Sequence, residues 1–417
     1  MAALVLSAVA GGARGEVLSE DALEGTSREA GVVLRSYGFA LGGAVLRPPV
    51  ALQDTSPLGL GVNDLRFYFA ETREDLKLVI HAPVTATLSS DAVPGNSIGA
   101  GVPPPRWLPL RAHLADRATF QAVAEVDWVY LAWLLGPLTL TVGRQPITLG
   151  RAAVWRPEDL LAAFSLTEVD TEYKRGVDAV RLDWAVGERR LLHVYASPGE
   201  LAVDHDAEVS RTGSAALVQF VAGGERGELG ALVGWVRGDL VVGVDGTVDG
   251  GSFDVHGEAT VTRLSDDSLA APGFSSGDVR GKAVVGMTFH PTSTLTLGPE
   301  LLYNGFGATK IEDRPELIAA PRVLLGEQVT LGVLYGAASG EWNPSSRWTL
   351  GGLALVNTTD QSALLSARIR ANLASNAEAE LGGYLAIGRA PNSVTKEPVT
   401  EYGLYPDFVY LKLKAVL

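Results

Sequence analysis

The chain has 417 residues and is 47% hydrophobic, yet no run approaches the ~18 apolar residues that a transmembrane helix needs. Its net charge of −14 excludes the basic face that nucleic acid selects, and no linker or composition break divides it. Cysteine is absent and the 48 glycines are spread among short alternating segments, the pattern of a membrane β-barrel.

Ala2 to Ala10 is a short apolar run ending in Ala8-Val9-Ala10, an A-x-A cleavage pattern. The expected organisation is a signal-like segment at 1–10, a polar periplasmic segment at 11–32 and a barrel over 33–417. The first strands are expected near 33–46, 63–72 and 76–88, with a tight turn at Thr72 to Asp75 between the last two. A long loop follows at 90–118, where Pro103-Pro104-Pro105 cannot donate to a ladder. Strand four, 120–134, is read with Ala124, Val126, Trp128, Tyr130 and Ala132 facing lipid, and Glu125 and Asp127 facing water. That outward aromatic face favours a barrel over a soluble β-sandwich or β-helix.

Strand five carries Leu138, Leu140 and Val142 against Thr139 and Thr141; strand six carries Val180, Leu182 and Trp184 against Ala179, Arg181 and Asp183. Between them lies a long charged loop, 146–175. Loops of that length are usually functional, so it is the candidate constriction. Arg144, Arg151, Arg156, Lys174 and Arg175 suit a carboxylated or phosphorylated solute; they equally suit neutralisation of the loop's own Glu and Asp residues. Arg144 shares the wall parity of Leu140 and Val142, so it reaches the lumen only if the strand ends or bulges by Gly143.

Short turns at Gly187 to Arg189 and Gly223 to Arg226 continue the alternation of short turns with long loops. Further strands are expected near 227–237, 239–246, 252–264, 277–289, 294–304, 327–341, 347–357, 361–372, 377–389 and 405–417. The count is about 18, and 16 to 18 is accepted. Gly238-Asp239 could lie inside one long strand, and 317–325 could be a further strand. Near the C-terminus, Arg368 and Arg370, then Glu378 and Glu380, then Lys412 and Lys414 share polar faces of three successive strands. Such ladders serve either as braces within the wall or as a field acting on a permeant solute. Arg66, Lys77, His81, Glu125, Asp127, Arg181, Asp183 and His193 fall on polar faces by the same parity.

The six His show no metal-binding spacing and no G-x-S-x-G is present, so no catalytic residue, cofactor or metal is expected, and the protein is not read as an enzyme. The stretch Gly143-Arg144-Gln145, Trp155 to Leu160 and Asp170 to Arg181 resembles a segment of porin-like outer-membrane barrels of the alginate-export type and their relatives. Asp360-Gln361-Ser362, Ser375-Asn376 and Glu401-Tyr402-Gly403 resemble their closing strands. The resemblance implies one 18-stranded barrel and a diffusion channel.

The expectation is therefore an all-β, single transmembrane antiparallel barrel in the bacterial outer membrane, with long extracellular loops. It is expected to be a monomer set in outer-membrane lipid that passes a small or linear polar or charged solute, such as an oligosaccharide. A non-conducting barrel that anchors an envelope assembly is the alternative.

Overall fold

The computed structural model describes residues 26–47, 51–90, 103–166, 168–200, 209–270, 273–311, 315–392 and 397–417. Its strands are β1 Thr26–Arg47, β2 Ala51–Arg73, β3 Leu76–Ser89, β4 Arg111–Arg117, β5 Phe120–Glu125, β6 Trp128–Leu135, β7 Leu138–Gln145, β8 Val177–Ala185, β9 Arg190–Ser197 and β10 Ala215–Gly223. They continue as β11 Gly227–Val236, β12 Asp239–Asp249, β13 Phe253–Arg263, β14 Val279–Thr292, β15 Leu295–Asn304, β16 Leu334–Ser345, β17 Trp348–Asn357, β18 Ser362–Ala374, β19 Ala377–Ile387 and β20 Asp407–Val416. Each pairs antiparallel with its neighbour, and β20 returns to β1 with Val33 opposite Val416, which closes the sheet. Closure leaves no edge in the wall, so backbone donors and acceptors are satisfied between strands.

Twenty segments give eighteen wall positions, as expected. β5 and β6 both pair with β3 and are two halves of one wall strand, while β4 pairs only with β5. The break has a cause in β3. Pro83 has no N–H to donate, and opposite it the chain carries one extra residue: His81 faces Trp128 but Val84 faces Ala124. A bulge of this kind shifts the side-chain parity.

The bulge overturns the expected facing of strand four. Trp128 and Tyr130 point into the barrel, Trp128 stacking on His81 at 4.2 Å, and Val129, Leu131 and Trp133 take the outer face instead. The outward aromatics lie elsewhere. Trp133, Trp184, Trp342 and Trp348 are exposed at the end with short turns, and Trp235 and Tyr303 at the end with long loops. Between these girdles the outer face is Leu, Val and Ala, while Thr, Asp, Glu, Arg and Lys face inward.

Other boundaries differ from expectation. β1 starts at Thr26, ahead of 33, and residues 1–10 and 11–25 lie outside the described residues. β2 starts at Ala51, ahead of 63. Arg237 and Gly238 take φ of 49° and 91°, so a two-residue primed turn makes a true hairpin there. Residues 317–325 are no strand: Pro315–Ala319 and Pro321–Leu324 form short helical turns, and β16 begins only at Leu334.

Gly143 has φ of 123° while its pairing with Ala179 is kept, and a Cβ there would collide with the Val129 carbonyl oxygen. Gly143→Ala is expected to cost about 1–3 kcal/mol of backbone strain beyond that collision. A lower unfolding temperature, read from the heat-dependent gel shift of the folded barrel, checks it.

Candidate functional site: the loop across the bore

Between β7 and β8 the chain turns inward. Ile147 and Leu149 pack with Val177, Ala179, Tyr195, Leu217 and Leu232 of the inner wall. The next residues have no regular structure, so their backbone N–H groups need partners. Two wall carboxylates supply them. Glu258 of β13 accepts from the N–H of Arg151 and Ala152, and from Glu158 at 3.4 Å. Glu300 of β15 accepts from Ala153 at 2.6 Å, Val154 at 3.1 Å and Trp155 at 3.2 Å. Gly150, at φ 81°, gives Glu258 room that a side chain would fill. Trp155 is then buried with Tyr335, Val284, Leu302 and Leu355.

The chain next runs back to the β11–β12 hairpin, where Arg237 donates to the carbonyl of Leu160 at 3.0 Å. It then crosses to the opposite wall. Val169 packs on Tyr37, Phe39, Leu60, Phe408 and Tyr410. Asp170 accepts from Arg35 and, at 2.9 Å, from the Tyr37 hydroxyl; Glu172 pairs with Lys414. The Tyr173 ring lies beneath Arg35 at 4.7 Å and Arg66 at 4.4 Å. Trp128 Nε1 donates to the Lys174 carbonyl at 2.8 Å before the chain enters β8. The loop thus holds β11 to β16 on one side and β20, β1, β2 and β6 on the other. It spans the bore.

Its ionic contacts separate the expected site residues. Arg144 is 1% exposed, bound to Asp178 at 2.8 Å and to the carbonyls of Val126 and Leu108. The pairing of β7 with β8 continues past Gly143, so Arg144 keeps its outward parity and does not line the lumen. Lys174 is fully buried on Asp159 at 2.6 Å and staples the two limbs of the loop. Arg175 pairs with Glu168 at 2.7 Å, and Arg151 with Glu228 and Asp245. Arg156 donates through Nε to the Ala152 carbonyl at 2.7 Å and makes no salt bridge among the described residues, though its charge acts on Glu258. Arg181 holds Asp183 at 2.8 Å and lies over Tyr195.

The C-terminal ladders are neighbours in register. Arg370 lies opposite Glu380, Glu380 opposite Lys412, and Glu378 opposite Lys414. Arg370 reaches Glu380 at 2.9 Å and Arg368 reaches Glu341 at 3.1 Å. Lys412 lies 5.7 Å from the Tyr37 ring. Each cross-strand pair contributes roughly 0.2–1 kcal/mol. The pattern continues beyond the expected strands, since Lys414 lies opposite Arg35 and Arg35 opposite Asp64. Arg35 and Asp64 carry no sequence signal as site residues because Arg35 alternates in phase with Val33, Tyr37 and Phe39, which looks like a lipid face.

Glu158 differs from these paired groups. Both its side-chain oxygens are buried without a donor, as is Oδ1 of Asp245. Burial first, then the nearby carboxylates of Asp245 and Glu258, push Glu158 up to about 9. Asp170 goes the other way. Burial opposes its charge, but Arg35 and Lys412 outweigh burial and hold it below the ordinary value.

No family model and no curated protein matches the sequence. Solved structures do. Acinetobacter baumannii OccAB1 matches over 98% of this chain and 99% of that chain, at TM-score 0.52 and 10% identity. Pseudomonas aeruginosa OccK7 (OpdD) matches over 94% and 99%, at 0.55 and 10%. Pseudomonas aeruginosa OpdK with vanillate matches over 95% and 99%, at 0.50 and 11%. The chain shares their barrel fold. The barrel fold that the sequence resemblance implies stands; these comparisons do not support the narrower alginate-export type.

Two predictions follow from the loop's anchors. Lys174→Ala leaves Asp159 buried without its partner and is expected to cost about 3–5 kcal/mol; Lys174→Met with Asp159→Leu recovers most of it, both read by protease cleavage within 146–176. Glu158 favours its neutral form when folded, so its contribution is complete below the ordinary carboxylate value and is lost as pH rises toward 9. Melting temperatures in detergent are expected to fall more steeply between pH 5 and pH 9 (about the range set by the two values) in wild type than in Glu158→Gln.

Proposed function

We propose that the chain is a porin-like channel of the bacterial outer membrane, which lets small or linear polar and charged solutes diffuse through a charged lumen. One observation carries the reading: an irregular loop crosses the bore, and the inner wall is built to hold it there. Paired wall charges and buried loop ions account for most of the polar groups. Arg156, which makes no salt bridge among the described residues, and Arg151, Arg368 and Arg370, which stay partly open beside their carboxylate partners, are the cations we assign to a passing solute. The apolar outer face with its aromatic girdles supports the membrane setting, and the Occ barrels support the porin reading through fold alone. Because β20 closes on β1 within one chain, a single copy makes a complete bore, and the reading needs no more than a monomer. No step of the reading requires catalysis or a cofactor.

Purified protein in planar bilayers is expected to give steady, ion-selective currents; electrical silence would overturn the channel. Wild type is expected to favour anions more than the Arg368→Ala/Arg370→Ala variant. Equal reversal potentials in a salt gradient would leave those arginines as braces of the wall. OpdK was solved with vanillate, so vanillate belongs in the first panel of solutes tested for current block.

A further inference from the structure

We propose that residues 103–110 form a flap on the outside of the barrel that seats Trp107 and Leu108 in the loop-side boundary of the lipid bilayer. This rests on the membrane reading above and adds a lipid contact made by a loop rather than by the wall. The outward face of β8 runs Trp184, Leu182, Val180 and then Asp178. On β11 the outward row ends with Leu229, Ala231, Val233 and Trp235, and on β15 with Leu297, Pro299, Leu301 and Tyr303. Asp178 is therefore the loop-side end of the outward row on β8, the place that Trp235 and Tyr303 hold on β11 and β15. A carboxylate and its partner Arg144 stand where lipid contact is expected, and a bare charge on that face is unfavourable.

The flap removes that exposure. The backbone N–H groups of Trp107 and Leu108 donate to Asp178 at 2.8 and 2.7 Å, and the Leu108 carbonyl accepts from Arg144. The ion pair is buried, and an indole and a leucine are presented in its place: Trp107 is 52% exposed and Leu108 37%. Val142 and Val180, the next outward pair along the wall from Arg144 and Asp178, are exposed, so the apolar outer face reaches the ion pair that the flap covers. An amphipathic indole at a bilayer boundary has its preferred surroundings. The flap is also tied through the wall. Arg106 donates to the Gly176 carbonyl at 2.8 Å and to Asp127 at 2.9 Å, which joins it to the point where the bore-crossing loop ends.

The chain has no cysteine, so single labels are clean. Nitroxides at Trp107→Cys and Leu108→Cys are examined in phospholipid vesicles by their collisions with oxygen, which concentrates in lipid, and with a nickel chelate, which stays in water. Leu411→Cys on the outer face of β20 serves as the lipid reference and Asp267→Cys as the water reference. Oxygen-to-nickel ratios at 107 and 108 closer to Leu411 are expected; ratios matching Asp267 overturn the flap. If Leu411 itself reports water, the membrane reading fails instead. Adding Asp178→Ala is expected to shift the ratio at 107 to the water value, and an unchanged ratio overturns the latch. Should that variant not fold, the measurements on the wild-type background still decide the seat.

Discussion

Every feature of this barrel follows from the need to pair backbone N–H and C=O groups where no water can reach them. The sheet meets that need by closing β20 on β1, so that the wall has no edge. Once closed, it has two faces in different solvents, and side-chain parity decides which residue meets which. The outer face is then Leu, Val and Ala with aromatic margins, and charge is confined to the inside. The exception proves instructive: the Arg144–Asp178 pair keeps outward parity, and another part of the chain folds over it.

The bore-crossing loop poses the same problem without a ladder to solve it. Residues 151–158 have no strand partner, and Glu258 and Glu300 take the place of one. Each carboxylate accepts from successive backbone donors, a use of wall charge that is neither catalytic nor directed at a solute. Charge matching orients the remainder. The loop's Arg151 meets the acidic wall at Glu228 and Asp245, while its Asp170 and Glu172 meet the basic seam at Arg35 and Lys414. Reversing the loop would set like charges together at both ends.

Period-two alternation carries most of the strand layout, a count of 16 to 18 and the ladders of β18, β19 and β20, because each depends on residues close in sequence. What could not be read depends on partners far away. The facing of Trp128 is decided by Pro83 in another strand, which forces a bulge that local alternation does not reveal. Tyr37 and Phe39 look like lipid-facing residues but face inward, because Val169 of the loop supplies an apolar surface inside the barrel. Lys174 and Arg144 were conspicuous as cations, yet their roles rest on Asp159 and Asp178, and neither pairing has a sequence signature. Arg370 falls beside Glu380 as the neighbouring ladders imply, because that partner lies on the adjacent strand, whereas Arg368 reaches past β17 to Glu341 of β16.

A consequence for selectivity follows from this difference. Cations and anions that are paired at close range contribute little field beyond their own neighbourhood, and the pairs with both members buried are the most self-contained. Lys174 with Asp159, and Arg35 with Asp64, are of that kind. On the channel reading proposed above, a solute in the bore responds to the groups left partly open and incompletely matched, whatever the formal charge of the chain. The acidic total of −14 and the arginines on the inner wall are compatible for this reason. The total counts every group equally, whereas the bore weights each by its exposure and by the partner that has already claimed it.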